Sequence, residues 1–198
     1  AGSSWNMFIA TPDSLATGVS GLITMSTGTS SSGNSGALYI GSGDATGGRG
    51  GSLYFTAGSG SVGVGGEVFI RAGTSSASTG GKVSITTASG NNAGSGSMLL
   101  ATAASGTAGV SGMITLSTGA STSGNTGALM IGSGAAVTGR GGEISVTVGS
   151  GDLSTGGELV LSAGATSFAS GTGGQVSIIS GAGSAGNSGA ILLSTPDA

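Results

Sequence analysis

The chain repeats one pattern of apolar and small residues about every fifteen positions. The stretch Gly65–Gly73 shows the pattern as two glycines followed by Glu-Val-Phe-Ile-Arg-Ala-Gly. We number each copy from its second glycine, position 0, and call that residue the slot glycine. A short fixed period of this kind is typical of repeat architectures. The slot glycines are Gly21, Gly36, Gly51, Gly66, Gly81, Gly96, Gly112, Gly127, Gly142, Gly157, Gly174 and Gly189, and a further copy upstream has Trp5 in the slot.

Positions 2 and 4 are apolar in every copy, and we call them the column residues. Position 6 holds small residues such as Ala57, Ala72 and Thr87. Apolar residues at every second position predict one short strand per copy, with positions 2, 4 and 6 facing a narrow interior. Position 2 is Met7, Ile23, Leu38, Leu53, Val68, Val83, Met98, Ile114, Leu129, Ile144, Leu159, Val176 and Ile191. Position 4 is Ile9, Met25, Ile40, Phe55, Ile70, Ile85, Leu100, Leu116, Ile131, Val146, Leu161, Ile178 and Leu193.

The second half of each copy, the return, consists almost wholly of Gly, Ser, Thr, Ala and Asn and has no core of its own. The sequence therefore predicts an all-β fold over residues 1–198, a single parallel β-solenoid of about thirteen 15-residue coils with uncapped ends. Burying two aliphatic side chains contributes about 3–6 kcal/mol per coil. Ordering fifteen backbone units costs on the order of 15–30 kcal/mol, so each coil is expected to depend on hydrogen bonds to its neighbours.

A longer period lies over the short one. The sequence of Val19–Gly28 is nearly repeated at Val110–Gly119, 91 residues later. This indicates a six-coil super-repeat, at about 1–91 and 92–184, followed by a partial third unit at 185–198.

The two ends carry no polar or helical cap, which a solitary solenoid normally needs. Ala198 followed by Ala1 of another copy would give a step of 14 residues, close to the internal 15. We therefore expect head-to-tail stacking into a filament, because unpaired edges accept another strand and a contact that does not close propagates. The chain could also be an excerpt of a longer tandem array. The expected axial contacts are Trp5, Met7, Phe8, Ile9, Ile191, Leu192 and Leu193.

Position 3 should face outward, yet it is too apolar for a free surface. Tyr39, Tyr54 and Phe69 occupy it on three successive copies. An exposed apolar patch indicates a contact surface, so these three residues are the candidates for lateral contacts with another strand of the fibre, a partner or a glycan. The alternative is aromatic stacking that only stiffens the rod.

Composition narrows the possible chemistry. Charged residues are 6% of the chain and the net charge is -3, which gives nucleic acid no electrostatic basis for binding. The sequence contains no histidine and no cysteine, so we predict no enzyme activity, no cofactor and no metal site. Glu143 and Glu158 lie at position 1 of neighbouring copies and could together suggest a metal site, but we expect them to be solvated side chains. No apolar run is long enough for a membrane span, and the Ser and Thr of the returns are candidates for O-linked glycans.

The repeats resemble, at the level of class, the glycine-, serine- and threonine-rich β-solenoids of secreted fibres, adhesins and cell coverings. That resemblance implies an extracellular structural protein. The segments Thr24-Met25-Ser26 and Ser84-Ile85-Thr86 are also similar to the Thr-x-Thr arrays of insect ice-binding proteins. An ice-binding or carbohydrate-binding, adhesive surface is therefore the alternative function, although Tyr39 and other large residues interrupt the array.

Overall fold

The computed structural model describes residues 4–14, 17–91, 93–153 and 155–196. Within these ranges the chain forms no helix and no strand, so there are no element bounds to give. The prediction of an all-β fold and of a parallel β-solenoid is therefore wrong.

Hydrogen bonding gives the first reason for this correction. Stacked coils need backbone bonds between residues about one repeat apart, in a ladder that runs from copy to copy. Among the described residues the backbone bonds instead close single returns. Gly66 N–H donates to Gly58 O at 2.9 Å and Gly81 N–H donates to Gly73 O at 2.8 Å, in each case eight positions back along the chain.

Burial gives the second reason. No described residue is buried, so the column residues face water instead of a narrow interior. Two aliphatic side chains per copy contribute at most about 6 kcal/mol even when fully buried. That is less than the cost of ordering fifteen backbone units, on the order of 15–30 kcal/mol. Without the ladder nothing stabilises a stack of coils within one chain.

The repeat is nevertheless visible in the backbone. The described part of each return bends near positions 10–12 of its copy, as at residues 31–33, 46–48 and 61–63. Gly63, the last residue of one bend, has φ +91°, a left-handed conformation that glycine adopts without steric cost. The small and polar residues of the returns therefore serve as corners between successive apolar segments.

Eight corners among the described residues are closed by a hydrogen bond where the chain leaves the return. In five returns the slot amide donates to the carbonyl oxygen at position 7 of the preceding copy. These bonds are Gly66 to Gly58, Gly81 to Gly73, Gly96 to Ala88, Gly174 to Gly164 and Gly189 to Gly181, at 2.8–3.1 Å. In three earlier returns the hydroxyl at position 6 donates to the slot carbonyl oxygen. These bonds are Thr11 to Gly21, Thr27 to Gly36 and Ser42 to Gly51, at 3.4, 3.1 and 2.7 Å.

Closure explains why the slot is glycine. A Cβ atom added at Gly51 would lie 2.9 Å from Ser42 Cβ, and one added at Gly157 would lie 2.5 Å from Val148 Cγ1. Both partners occupy position 6 of the preceding copy. The residues that are only half exposed, Thr11, Ala72, Ala163 and Ser180, all occupy position 6 as well. At eight of the twelve slots an added Cβ would lie 2.5–3.3 Å from the position-6 side chain, so those slots need glycine for space. At Gly36, Gly96, Gly127 and Gly189 the distance is an ordinary 3.5–3.7 Å.

The chain divides into two compact units, Ala1–Leu99 and Leu100–Ala198. The first unit holds the six slot glycines from Gly21 to Gly96, and the second holds the six from Gly112 to Gly189. Both units contain bends and corners closed by a slot amide, as at Gly66 in the first unit and Gly174 in the second.

Amide hydrogen exchange tests the absence of a ladder. In the monomeric chain we expect the amides of Gly66 and Gly81 to exchange several-fold more slowly than those of Val68 and Ile70. The two slot amides donate to backbone carbonyl oxygens, whereas Val68 and Ile70 make no such bond in the part of the chain that the structure describes. The measurement is residue-resolved exchange by NMR at low protein concentration. Strong protection of Val68 and Ile70, as in a sheet, would contradict the fold described above.

The steric role of the slot is tested by Gly157→Ala. The added methyl group has to displace Val148, so we expect the nuclear Overhauser contact between the Val148 methyl protons and residue 157 to disappear. Gly156→Ala is the matched control, since nothing lies within 4 Å of its added Cβ. Adding Val148→Ala to Gly157→Ala should allow the corner to close again. An unchanged Val148 contact in the single variant would show that the slot tolerates a side chain.

Candidate functional site

The column residues form the largest set of related side chains on the described surface. They alternate with the residues of position 3 in exposure as well as in sequence. Ile114, at position 2, is 48% exposed, whereas Tyr39, at position 3, is 92% exposed. In most copies with a large residue at position 3, the columns therefore lie on the more sheltered side of the segment, although Leu161 is as exposed as Val160. All of the described columns remain open to solvent.

The lateral contact candidates Tyr39, Tyr54 and Phe69 all have exposed side chains. Among the described residues, the aromatic contact that the structure shows is a cation–π contact and does not join two of these rings. The Arg71 guanidinium carbon lies 6.0 Å from the centroid of the Phe69 ring. A cation–π contact at an exposed site is worth about 0.5–1 kcal/mol. The assignment of these three residues to lateral contacts stays a prediction.

The axial candidates are exposed too, with Trp5 the most exposed of them. Leu192 and Leu193, together with Ser194 and Thr195, line a shallow depression that is open to solvent. The junction of Ala198 with Ala1 lies outside the described residues. Axial contact through Trp5, Met7, Phe8, Ile9, Ile191, Leu192 and Leu193 also stays a prediction.

Polar chemistry is sparse on the described surface. No group of three acidic residues there is placed to hold a metal ion. No helix in the described ranges is long and apolar enough to cross a membrane. The hydroxyl groups that do make hydrogen bonds contact nearby backbone, as Ser75 Oγ does when it accepts from Ser78 N–H at 3.0 Å.

The accessible area shows how much surface the chain leaves exposed to solvent. The chain exposes 19672 Å². A compact folded chain of 18.0 kDa exposes about 8,000 Å² by the usual size scaling. The difference, about 11,700 Å², is several times the total area of about 1,600 Å² that a standard protein interface buries. What the site can do is therefore bury apolar area against a partner.

Sequence reasoning missed the closed corners. It placed positions 0, 6 and 7 correctly in the repeat but did not connect position 6 with the slot of the next copy. The signal was present, because glycine in the slot coincides with small residues at position 6. A glycine that recurs opposite a small residue is typical of close backbone approach.

Comparison with protein-family models, with curated protein sequences and with solved structures finds no match to this chain.

Proposed function

We propose that this chain is an extracellular structural protein whose copies associate by burying their column residues against one another. One observation carries the proposal: apolar residues fill positions 2 and 4 of every copy, and none of those the structure describes is buried. The function therefore lies in the material that the copies form together. No catalytic role is proposed for a chain without histidine or cysteine.

Composition argues against a chain that stays dispersed with its columns in water. Chains that remain disordered combine low hydropathy with high net charge. This chain has a mean hydropathy of +0.37 and 6% charged residues. Each 1,000 Å² of apolar area removed from water contributes about 25 kcal/mol before the costs of association. Burial between copies is thus strongly favoured over exposure.

A second copy is the partner that fits this surface best. Its columns recur at the same fifteen-residue interval, so side chains along the whole length can be buried together. A surface with a different spacing would lose register after a few copies. A threonine plane for ice binding needs strands to hold it flat, and the described residues contain none. That alternative is therefore not proposed.

Association through the columns is tested by replacing three of them with asparagine, in Leu53→Asn/Leu129→Asn/Ile144→Asn. Each loses about 1.5–3 kcal/mol of burial per contact, so we expect the concentration at which association begins to rise at least tenfold. Light scattering and sedimentation velocity over a concentration series measure it. The matched control is Val62→Asn/Val64→Asn/Val137→Asn, three apolar residues of the returns, for which we expect a change within about twofold.

Two results would contradict the proposal. One is a wild-type chain that sediments as a monomer up to its solubility limit. The other is a control variant that shifts the onset of association as far as the column variant does.

The extracellular setting has its own test. Ser and Thr of the returns are exposed, as in 74–79, and few charges are available to solvate the assembled surface. We expect the native material to carry O-linked glycans on the returns, seen by mass spectrometry as hexose or hexosamine increments on return peptides. Return peptides of unmodified mass in native material would remove this part of the proposal.

A further inference from the structure

The chain carries its sulfur in methionine alone, because it has five methionines and no cysteine. Three of the methionines are column residues, with Met7 and Met98 at position 2 and Met25 at position 4. The other two, Met113 and Met130, occupy positions 1 and 3 and lie outside the columns. The same oxidisable side chain is therefore present both inside and outside the surface that the proposed function buries between copies.

The methionine side chains are accessible in the single chain. All five are exposed, and even Met98, the least exposed of them, is 58% exposed. Oxidation of sulfur in proteins selects the accessible side chains. A small oxidant in the surrounding solution therefore reaches every methionine of a dispersed chain.

The columns do not need methionine for their apolar character. Met25 corresponds to Leu116, displaced by 91 residues along the chain. The columns without methionine hold Leu, Ile, Val or Phe, none of which contains sulfur. Leucine and methionine exchange in apolar contacts at little cost, because their volumes are similar. Replacing a column methionine by leucine therefore removes the sulfur and keeps the apolar surface.

A peroxide changes the polarity of a methionine side chain. The sulfur lone pair attacks one oxygen of hydrogen peroxide, the O–O bond breaks and an S–O bond forms. Methionine loses two electrons in this step, and the peroxide is reduced to water. The product, methionine sulfoxide, is polar and disrupts apolar interfaces that contain it. At a column position it therefore opposes burial between copies.

We propose that the column methionines Met7, Met25 and Met98 are modification sites through which peroxide reversibly controls association. The thioether form associates, and the sulfoxide form stays dispersed to a higher concentration. This proposal rests on the proposed function, because it requires the columns to be buried between copies. Its physical basis is the exposure of these three side chains together with their place in the apolar pattern.

Association of oxidised full-length chains tests the proposal. Hydrogen peroxide is added to dispersed wild-type chains until the intact mass shows five added oxygen atoms, one for each methionine. Sedimentation velocity over a concentration series then gives the concentration at which association begins. We expect this concentration to rise about tenfold or more relative to the unoxidised chain, because three polar groups enter the columns.

Two leucine variants assign the effect to particular residues. In Met7→Leu/Met25→Leu/Met98→Leu, we expect the onset of association to change within about twofold on addition of peroxide, since its columns contain no sulfur. The matched control is Met113→Leu/Met130→Leu, which keeps the column methionines and should respond to peroxide as the wild type does. Without peroxide, both variants should associate within about twofold of the wild-type onset.

Reduction of the sulfoxides tests reversibility. Methionine sulfoxide reductases A and B act on the two sulfoxide epimers, and dithiothreitol supplies the two electrons as it is oxidised to its disulfide. Treating the oxidised wild-type chain with both enzymes should return the intact mass and the onset of association to their original values. An onset that stays high after the mass has returned overturns reversible control.

The remaining outcomes separate this proposal from the proposed function. A wild-type onset that full oxidation leaves unchanged overturns control by peroxide, and the structural role is then judged by the asparagine variants alone. A column leucine variant that responds as strongly as the wild type also overturns the proposal, because the effect then lies outside the columns. Unoxidised wild-type chains that do not associate overturn both.

Discussion

The contact between a slot glycine and the side chain at position 6 of the preceding copy is the constraint on which the rest of the structure depends. It recurs at all twelve slot glycines, where an added Cβ would lie within 4 Å of that side chain. Position 6 holds Thr, Ser, Ala or Val in these copies, and the slot residue, glycine, has no side chain. The contact between position 6 and the slot therefore fixes both ends of each return. The apolar segments between returns begin and end at the same positions of the repeat.

This constraint is local and weak. A hydrogen bond such as Gly174 N–H to Gly164 O contributes about 0.5–1.5 kcal/mol net. That free energy favours the closed conformation of one corner. It is too small to hold the apolar segments of different copies packed against one another. The columns are therefore left in water while the corners are closed. A chain in this condition has its local geometry determined by its own sequence, while its described column residues are not buried by contacts within the chain.

The period, the slot and the alternation of positions 2, 3 and 4 could all be predicted from the sequence, because they depend on residue size and on side-chain direction. Whether strands form could not be predicted in the same way. Alternation gives the direction of side chains such as Val68 and Ile70, but it does not show whether a second backbone segment lies beside them to accept hydrogen bonds. Sequence reasoning expected the hydrogen-bond ladder to compensate for the small core. The structure closes single returns instead.

For the candidate site too, the sequence predicts the direction of side chains and not their contacts. Tyr39, Tyr54 and Phe69 were expected to face outward, and their side chains are exposed. The Arg71 contact with Phe69 was not predicted, although positions 3 and 5 share one side of a period-two segment and the pair could have been found on that ground. Contacts between copies depend on how surfaces meet in space, which one chain's residue order does not determine.

The hydrogen bonds that close eight of the described corners join residues at most ten positions apart, so none of these corners needs a distant part of the chain to form. A gene encoding such a chain can gain or lose whole copies by unequal crossing-over, and every remaining corner still finds its own partner. The steps of 16 residues to Gly112 and 17 residues to Gly174 show that the length of a return can vary by one or two residues. Molecular length, and with it the number of exposed apolar side chains per molecule, can thus change in evolution without redesign of the unit.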